Sequence, residues 1–293
     1  MRTRESLVAS ITVGLIACMA AVADEPLPTA PMAGPVVSAP AAATQEVAAG
    51  SATAAQLRAE AEALQSSNKW VEAREKYWAA LDAKPAEAVR LAIEERLGKL
   101  NLELARKPWP IPEKIVYTVQ PGDSVKRIAQ KNGCTIELMI ENNELANPDK
   151  ILPGKRLKVF TGKFAVAVNK TRNDLLLTLN GRFFKRYRVG TGKYGKTPAG
   201  AFIVGDRVKE PAWYKDDGEV VLYGTKENIL GTRWLGLKTT NTAEDVKGYG
   251  IHGTWENDSI GKAESSGCIR LRNEDVEELY VLVPGGTAVE IQE

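Results

Sequence analysis

One histidine and three cysteines are all that 293 residues offer in the way of soft metal ligands. There is no CxxC pair and no HExxH run. A zinc site of the Cys/His kind needs several such side chains converging, so the chain reads as metal-independent, and no cofactor is expected. Charge of a single sign is also scarce. Lys and Arg number 39 against 37 Asp and Glu, a net charge of +2. Binding that lives on counterion release from a basic face needs more, so nucleic acid is not an expected partner. What the sequence does have is ordinary globular material: 44% apolar and 26% charged residues. The length suits two or three domains rather than one.

The first residues read as an address. Arg2 and Arg4 precede an apolar stretch from Leu7, and Ala21-Val22-Ala23 stands before Asp24. That is the charged, apolar and A-x-A order of a secretory signal peptide over residues 1–23. Two alternatives stay open. Leu15-Ile16-Ala17-Cys18 looks like a bacterial lipoprotein signal with Cys18 as the lipidated residue. An uncleaved anchor needs about 18–20 uninterrupted apolar residues, and Leu7–Ala23 falls short and holds Ser10, Thr12 and Gly14. Export to the periplasm or cell envelope is the expectation. Residues 24–50, rich in Ala and Pro, read as a disordered linker.

From Ser51 the periodicity becomes helical. Leu57, Ala61 and Leu64 share one face; Trp70, Ala73, Tyr77, Ala80 and Leu81 another; Val89, Ile93, Leu97 and Leu100 a third. The spacing Ala73–Tyr77–Ala80–Pro85 resembles a tetratricopeptide helix. Residues 51–107 are therefore expected to form a helical hairpin with a packing helix, a surface open to a protein partner. Pro108-Trp109-Pro110-Ile111-Pro112 predicts a linker.

Residues 116–161 predict a second small module. A strand at Tyr117 ends in a turn, helices follow at Val125–Lys131 and about 135–142, and Arg156–Phe160 closes as a strand. The run YTVQPGDSVKRIAQK…IENNELANPDKILPGKRLKVF resembles a LysM domain along its length. The resemblance implies binding to N-acetylglucosamine-containing glycan, in bacteria usually peptidoglycan. Gly122, Asp123, Ser124, Asn142, Asn143 and Ile151 are the candidate contacts, although the same residue types make turns in any protein. Cys134 reads as a small packed side chain.

From residue 163 to the end the pattern is mostly β. Phe164, Val166 and Val168 alternate, as do Leu175, Leu177 and Leu179, and Asn180-Gly181 is placed for a hairpin into Arg182–Val189. Further strands are expected at Ala201–Val208, Val220–Tyr223, Leu235–Leu237, Gly250–Gly253, Cys268–Leu271 and Ala288–Ile291, with one helix at 274–283 capped by Asn273. A short helix is expected around Ala243–Val246. The chemistry gathers in His252-Gly253-Thr254 and Ser265-Ser266-Gly267-Cys268-Ile269-Arg270-Leu271. A cysteine with one histidine is the minimal thiol nucleophile, since imidazole can take the thiol proton. Glycine before Cys268 lets the backbone turn amides toward an oxyanion. Arg270 shares the face of Cys268 in an extended segment, where it can lower the thiol pKa or hold a carboxylate. Cys134 and Cys268 lie in different modules and are expected unpaired.

The segments GTGKYGKTPAGAF, ILGTRWLGL, GIHGT and SSGCIRL, in that order, resemble the YkuD-type L,D-transpeptidase catalytic family. The resemblance implies a sandwich-like, mostly-β fold, Cys268 as nucleophile, His252 as base and the Gly253 carbonyl orienting the imidazole. It places backbone amides of Gly267 and Cys268 in an oxyanion hole and Arg270 on substrate. Many relatives carry histidine where this chain has Ser266, which leaves that position's role open. The implied reaction is acyl transfer on peptidoglycan tetrapeptide stems, giving 3→3 cross-links and a carbapenem-sensitive thiol. Water as acceptor (an L,D-carboxypeptidase), a lipoprotein acceptor, and a non-catalytic wall-binding scaffold are the competing expectations.

Overall fold

The computed structural model describes residues 41–215, 217–240 and 248–293. The signal peptide with Cys18, most of the 24–50 linker and the helix expected at Ala243–Val246 lie outside the described residues. Ala41–Glu293 forms one compact unit.

Three helices come first: α1 (Ala41–Ser66), α2 (Trp70–Asp82) and α3 (Glu87–Arg106). Helix α1 starts inside the stretch expected to be a linker, which corrects that boundary. Alanine is the strongest helix former, and the third turn is held by contacts. Ser51 Oγ accepts from Ala86 N at 2.9 Å, and a Cβ on Gly50 would sit 2.3 Å from the Ala83 carbonyl oxygen. Only glycine permits so close a crossing there.

The next elements are β1 (Lys114–Thr118), α4 (Val125–Lys131), α5 (Ile136–Asn142) and β2 (Arg156–Phe160), the expected βααβ order. β1 and β2 pair antiparallel with Tyr117 opposite Leu157. Ser124 and Thr135 cap the two helices, accepting from Arg127 N and Leu138 N.

The expected linker at 108–112 is packed. Trp109 stacks on Trp70 with centroids 5.3 Å apart, and Ile111 is buried. The Lys114 ammonium donates to the Leu104 and Lys107 carbonyls at 2.7 and 2.5 Å. Prolines do break the helix there, but the Lys114 amine, its pKa lowered to about 7 by burial, satisfies the carbonyls the break exposes.

The mostly-β domain then runs β3 (Phe164–Asn169), β4 (Asp174–Leu179), β5 (Arg182–Arg188), β6 (Thr191–Gly192), β7 (Gly200–Lys209), β8 (Trp213–Tyr214), β9 (Val220–Val221), β10 (Arg233–Thr239), β11 (Gly250–His252), β12 (Ala263–Ser265), β13 (Ile269–Arg270), α6 (Asn273–Leu282) and β14 (Ala288–Gln292). Eight strands form one mixed sheet in the order β13-β11-β10-β7-β14-β3-β4-β5. Burial alternates along β3 as its sequence does. The Asn180-Gly181 turn has positive φ at both residues, 50° and 80°, the primed geometry a two-residue hairpin requires.

Helices α2 and α3 lie against β5, one edge of the sheet. Trp78 Nε1 donates to the Phe183 carbonyl at 2.8 Å and Asn101 Nδ2 to the Phe184 carbonyl at 2.9 Å. The Arg186 guanidinium grips Glu94 at 2.7 and 3.0 Å. An edge strand whose carbonyls are taken by side chains cannot template pairing with another chain. On α6, the Val281 carbonyl accepts from Thr135 Oγ1, and Arg207 on β7 meets Glu137 on α5 at 3.2 Å. Among the described residues no helix is long and apolar enough to cross a membrane.

Candidate active site

β11 and β13 run parallel as neighbours, with His252 in register with Arg270 and Ile251 with Ile269. That pairing brings the two halves of the sequence motif together. His252 is 2% exposed, and its Nδ1 lies 2.6 Å from the Gly253 carbonyl oxygen. A carbonyl only accepts, so Nδ1 carries the proton and Nε2 is left with its lone pair. Gly253 is required for this arrangement, because a Cβ there would meet Asn273 Oδ1 at 2.2 Å. That oxygen accepts from Thr232 N at 3.0 Å. Asn273 is therefore the first residue of α6 and braces the His252 loop, rather than serving as its expected cap. The Trp234 ring lies almost parallel to the imidazole, 5.8 Å between centroids. Burial drives the His252 pKa down to about 4, reinforced by the Arg270 charge and opposed by the Gly253 bond.

Cys268 is half-buried, its Sγ 3.6 Å from the Gly248 carbonyl oxygen. Burial raises its pKa, with the Arg270 charge acting the other way. Two hydroxyls shape the turn before it. Buried Ser265 donates to the Cys268 carbonyl at 2.6 Å and accepts from Gly267 N at 3.1 Å. Thr197 donates to the Gly267 carbonyl at 2.8 Å. The Gly267 amide, expected to face an oxyanion, is thus engaged by Ser265. The Cys268 amide finds no acceptor among the described residues. Gly267 has φ +141°, and a Cβ would meet the Tyr249 ring at 2.5 Å, so the sharp turn depends on glycine.

Arg270 is 12% exposed and donates through Nη1 to exposed Glu256 at 2.9 Å, while its buried Nε has no partner among the described residues. Ser266 is exposed and points no hydrogen bond into the turn. Ser265, Thr197, Glu256 and Trp234 surround these candidates without having been singled out from the sequence, and Asn273 was expected only as a helix cap. Ser265, Thr197 and Trp234 stood inside the motif segments already singled out.

A family model for the L,D-transpeptidase catalytic domain matches residues 163–291, and one for the LysM domain matches 117–160. YqjB of Bacillus subtilis, named for an inferred L,D-transpeptidase activity, is 40% identical over 42% of this chain and 68% of its own length. YkuD of the same organism, named likewise, is 32% identical over 60% of this chain and 98% of its own. The chain belongs to the YkuD-type L,D-transpeptidase family. Among solved structures, L,D-transpeptidase 3 from Mycobacterium tuberculosis in complex with a faropenem-derived adduct aligns over 62% of this chain and 92% of its own, at 15% identity and TM-score 0.36. That likeness is too weak to argue from.

In this L,D-transpeptidase the glycan candidates of the LysM domain separate into groups. Gly122 and Ser124 are exposed and Asp123 is half-exposed; the Asp123 carboxylate takes Tyr117 Oη and Gln120 N, both at 2.8 Å. Ile151 is half-buried beside exposed Leu152. Asn143 staples α5 to β2, exchanging bonds with the Lys158 backbone at 2.7 and 2.8 Å. Asn142 is fully buried, and neither side-chain atom finds a partner among the described residues. Burial removes Asn142 from any glycan-facing surface, a correction to its candidacy, and Asn143 is spent on the fold. Cys134 is buried and free, its thiol pushed up to about 12 by desolvation.

Proposed function

We propose that this chain is an exported L,D-transpeptidase that joins peptidoglycan stems through a thioester on Cys268, held at the wall by its LysM domain. The observation that carries this reading is the Nδ1 bond of His252 to the Gly253 carbonyl. It fixes the tautomer whose Nε2 can act as base. With the imidazole pKa low and the thiol pKa raised, both groups are neutral near pH 7. The proton therefore moves as the bond forms, by general-base catalysis.

Sγ attacks the stem carbonyl after the third residue while Nε2 takes the thiol proton. Charge develops on the carbonyl oxygen, where the Cys268 amide is free to donate. Collapse expels D-alanine, whose amine takes the proton from His252. The side-chain amine of a neighbouring stem then attacks the thioester and gives a proton to Nε2, which passes it to the departing Sγ, leaving a 3→3 cross-link and the neutral Cys268 thiol. Arg270 supplies a cation for a stem carboxylate. Gly122, Asp123, Ser124 and Ile151 carry the glycan contact, which raises local substrate concentration. No cofactor takes part in this scheme.

The test is intact mass after incubation with a carbapenem, with Cys268→Ala alongside. A stoichiometric adduct on the wild type alone supports the acyl-enzyme; no adduct on folded protein leaves a wall-binding scaffold. Isolated tetrapeptide stems then separate the acceptors. Cross-linked dimers support the transferase, and tripeptides alone indicate a carboxypeptidase.

A further inference from the structure

We infer that Thr197 is a positioning residue for the oxyanion, acting through the peptide that joins Gly267 to Cys268; the inference rests on the acyl-enzyme reading above. Thr197 is 1% exposed and lies in the loop between β6 and β7, far from Cys268 in sequence. Its hydroxyl accepts from Gly192 N at 2.8 Å and donates to the Gly267 carbonyl at 2.8 Å. An amide-to-hydroxyl-to-carbonyl chain of this kind polarises along its length.

The consequence follows from peptide geometry. In a trans peptide the carbonyl and the following N–H point in opposite directions. Pinning the Gly267 carbonyl toward Thr197 therefore aims the Cys268 N–H away from it, outward from the turn. Ser265 holds the peptides on either side, through Gly267 N and the Cys268 carbonyl. Three successive peptide planes are fixed by two buried hydroxyls, and the Cys268 amide alone is left without an acceptor among the described residues. The loops are also in backbone contact, since a Cβ on Gly192 would lie 2.9 Å from Gly267 Cα and 2.7 Å from Thr197 N. The hydroxyl at 197 thus decides where the free donor points.

The step it serves is charge development. Attack forms the carbon–sulfur bond and moves the carbonyl π pair onto oxygen, while the thiol proton passes to His252 and then to the leaving nitrogen. Donors fixed in advance at that oxygen are worth orders of magnitude in rate. Alkylation of the same sulfur by iodoacetamide forms a carbon–sulfur bond, expels iodide and makes no oxyanion. The two reactions share the thiol and the histidine but differ in the need for the amide.

The experiment compares carbapenem acylation and iodoacetamide alkylation rates in wild type, Thr197→Val and Thr197→Ser, with circular dichroism to establish folding. The expected result is acylation slower by about tenfold or more in Thr197→Val. Alkylation should stay within about twofold, and Thr197→Ser should restore acylation. Acylation at the wild-type rate in Thr197→Val overturns the inference. So does an equal fall in both rates, which means that the hydroxyl only supports the turn. If Thr197→Val does not fold, Thr197→Ala repeats the comparison with the same two outcomes. A wild type that is alkylated but never acylated overturns the acyl-enzyme reading and this inference with it, and is recognised by needing no variant.

Discussion

Because His252 is the only histidine of the chain, its protonation can be followed without ambiguity, and the structure makes a quantitative statement about it. The ring is 2% exposed and its pKa falls from 6.5 to about 4, chiefly through burial. The unfolded chain keeps the ordinary value, so between these limits it binds the proton that the folded chain refuses. Lowering the pH therefore favours unfolding, beginning near 6.5 and levelling below about 4. Linkage over that window gives a loss of about 2 kcal/mol between pH 7 and pH 5, with a slope of about 1.2 kcal/mol per pH unit near 5.5. Half-buried Asp275, whose carboxyl is raised by desolvation, works in the opposite sense. The comparison is accordingly between wild type and His252→Gln, by urea unfolding at both pH values. The variant should lose about 2 kcal/mol less than the wild type on acidification. An NMR titration of the imidazole should show it neutral, with Nδ1 protonated, down to about pH 5. Equal pH dependence in both proteins, or an imidazole pKa above 6, refutes the reasoning and with it the neutral-pair mechanism.

Other expectations are read from single contacts. Glu94 is 7% exposed and ion-paired with Arg90 and Arg186; Glu94→Ala should destabilise by roughly 2 kcal/mol in denaturant titration, because it removes charge-assisted hydrogen bonds from two half-buried guanidiniums, of which Arg186 keeps Asp174. Gly267→Ala places a Cβ 2.5 Å from the Tyr249 ring at φ +141°, and carbapenem acylation should drop by about an order of magnitude or more while far-UV circular dichroism is kept. A thiol reagent at pH 8 should modify Cys268 and spare buried Cys134 until the protein is unfolded, as peptide mapping would report.

Local pattern carried most of what could be read from the sequence. The alternation in β3, the Asn180-Gly181 turn and the two helices of the LysM domain are each set by near neighbours, and each appears where expected. Candidate positions were legible where chemistry is rare: one histidine and a Gly-Cys pair leave few choices. Burial was not legible. Asn142 matches a family pattern, yet its side chain is enclosed, and Asn143 is consumed by β2. The helix from Ala41 and the packed Pro108–Pro112 segment were missed for a related reason. Composition describes a free chain, whereas Gly50 against Ala83 and Trp109 on Trp70 are tertiary contacts between distant residues. The Gly267 amide could not have been assigned either, since its partner is a hydroxyl whose orientation only the folded turn determines.

The two edges of the eight-stranded sheet are treated in opposite ways, and that difference bears on where chemistry can occur. An edge strand presents backbone donors and acceptors without partners, which folded proteins usually cover. At β5 the side chains of Trp78 and Asn101 do so from α2 and α3. At β13 the cover is partial. Gly190 exchanges both of its backbone bonds with Arg270 at 2.9 Å, and Ser265 and Thr197 fill the sites on either side of Cys268. Among the described residues one amide of that turn is left over, on the residue that carries the thiol. In the proposed mechanism that donor is met when an oxygen bearing charge arrives. On this view the uncovered edge is the feature that separates the catalytic end of the sheet from its structural end. Supplying a partner for the Cys268 amide should then abolish acylation while the fold is kept.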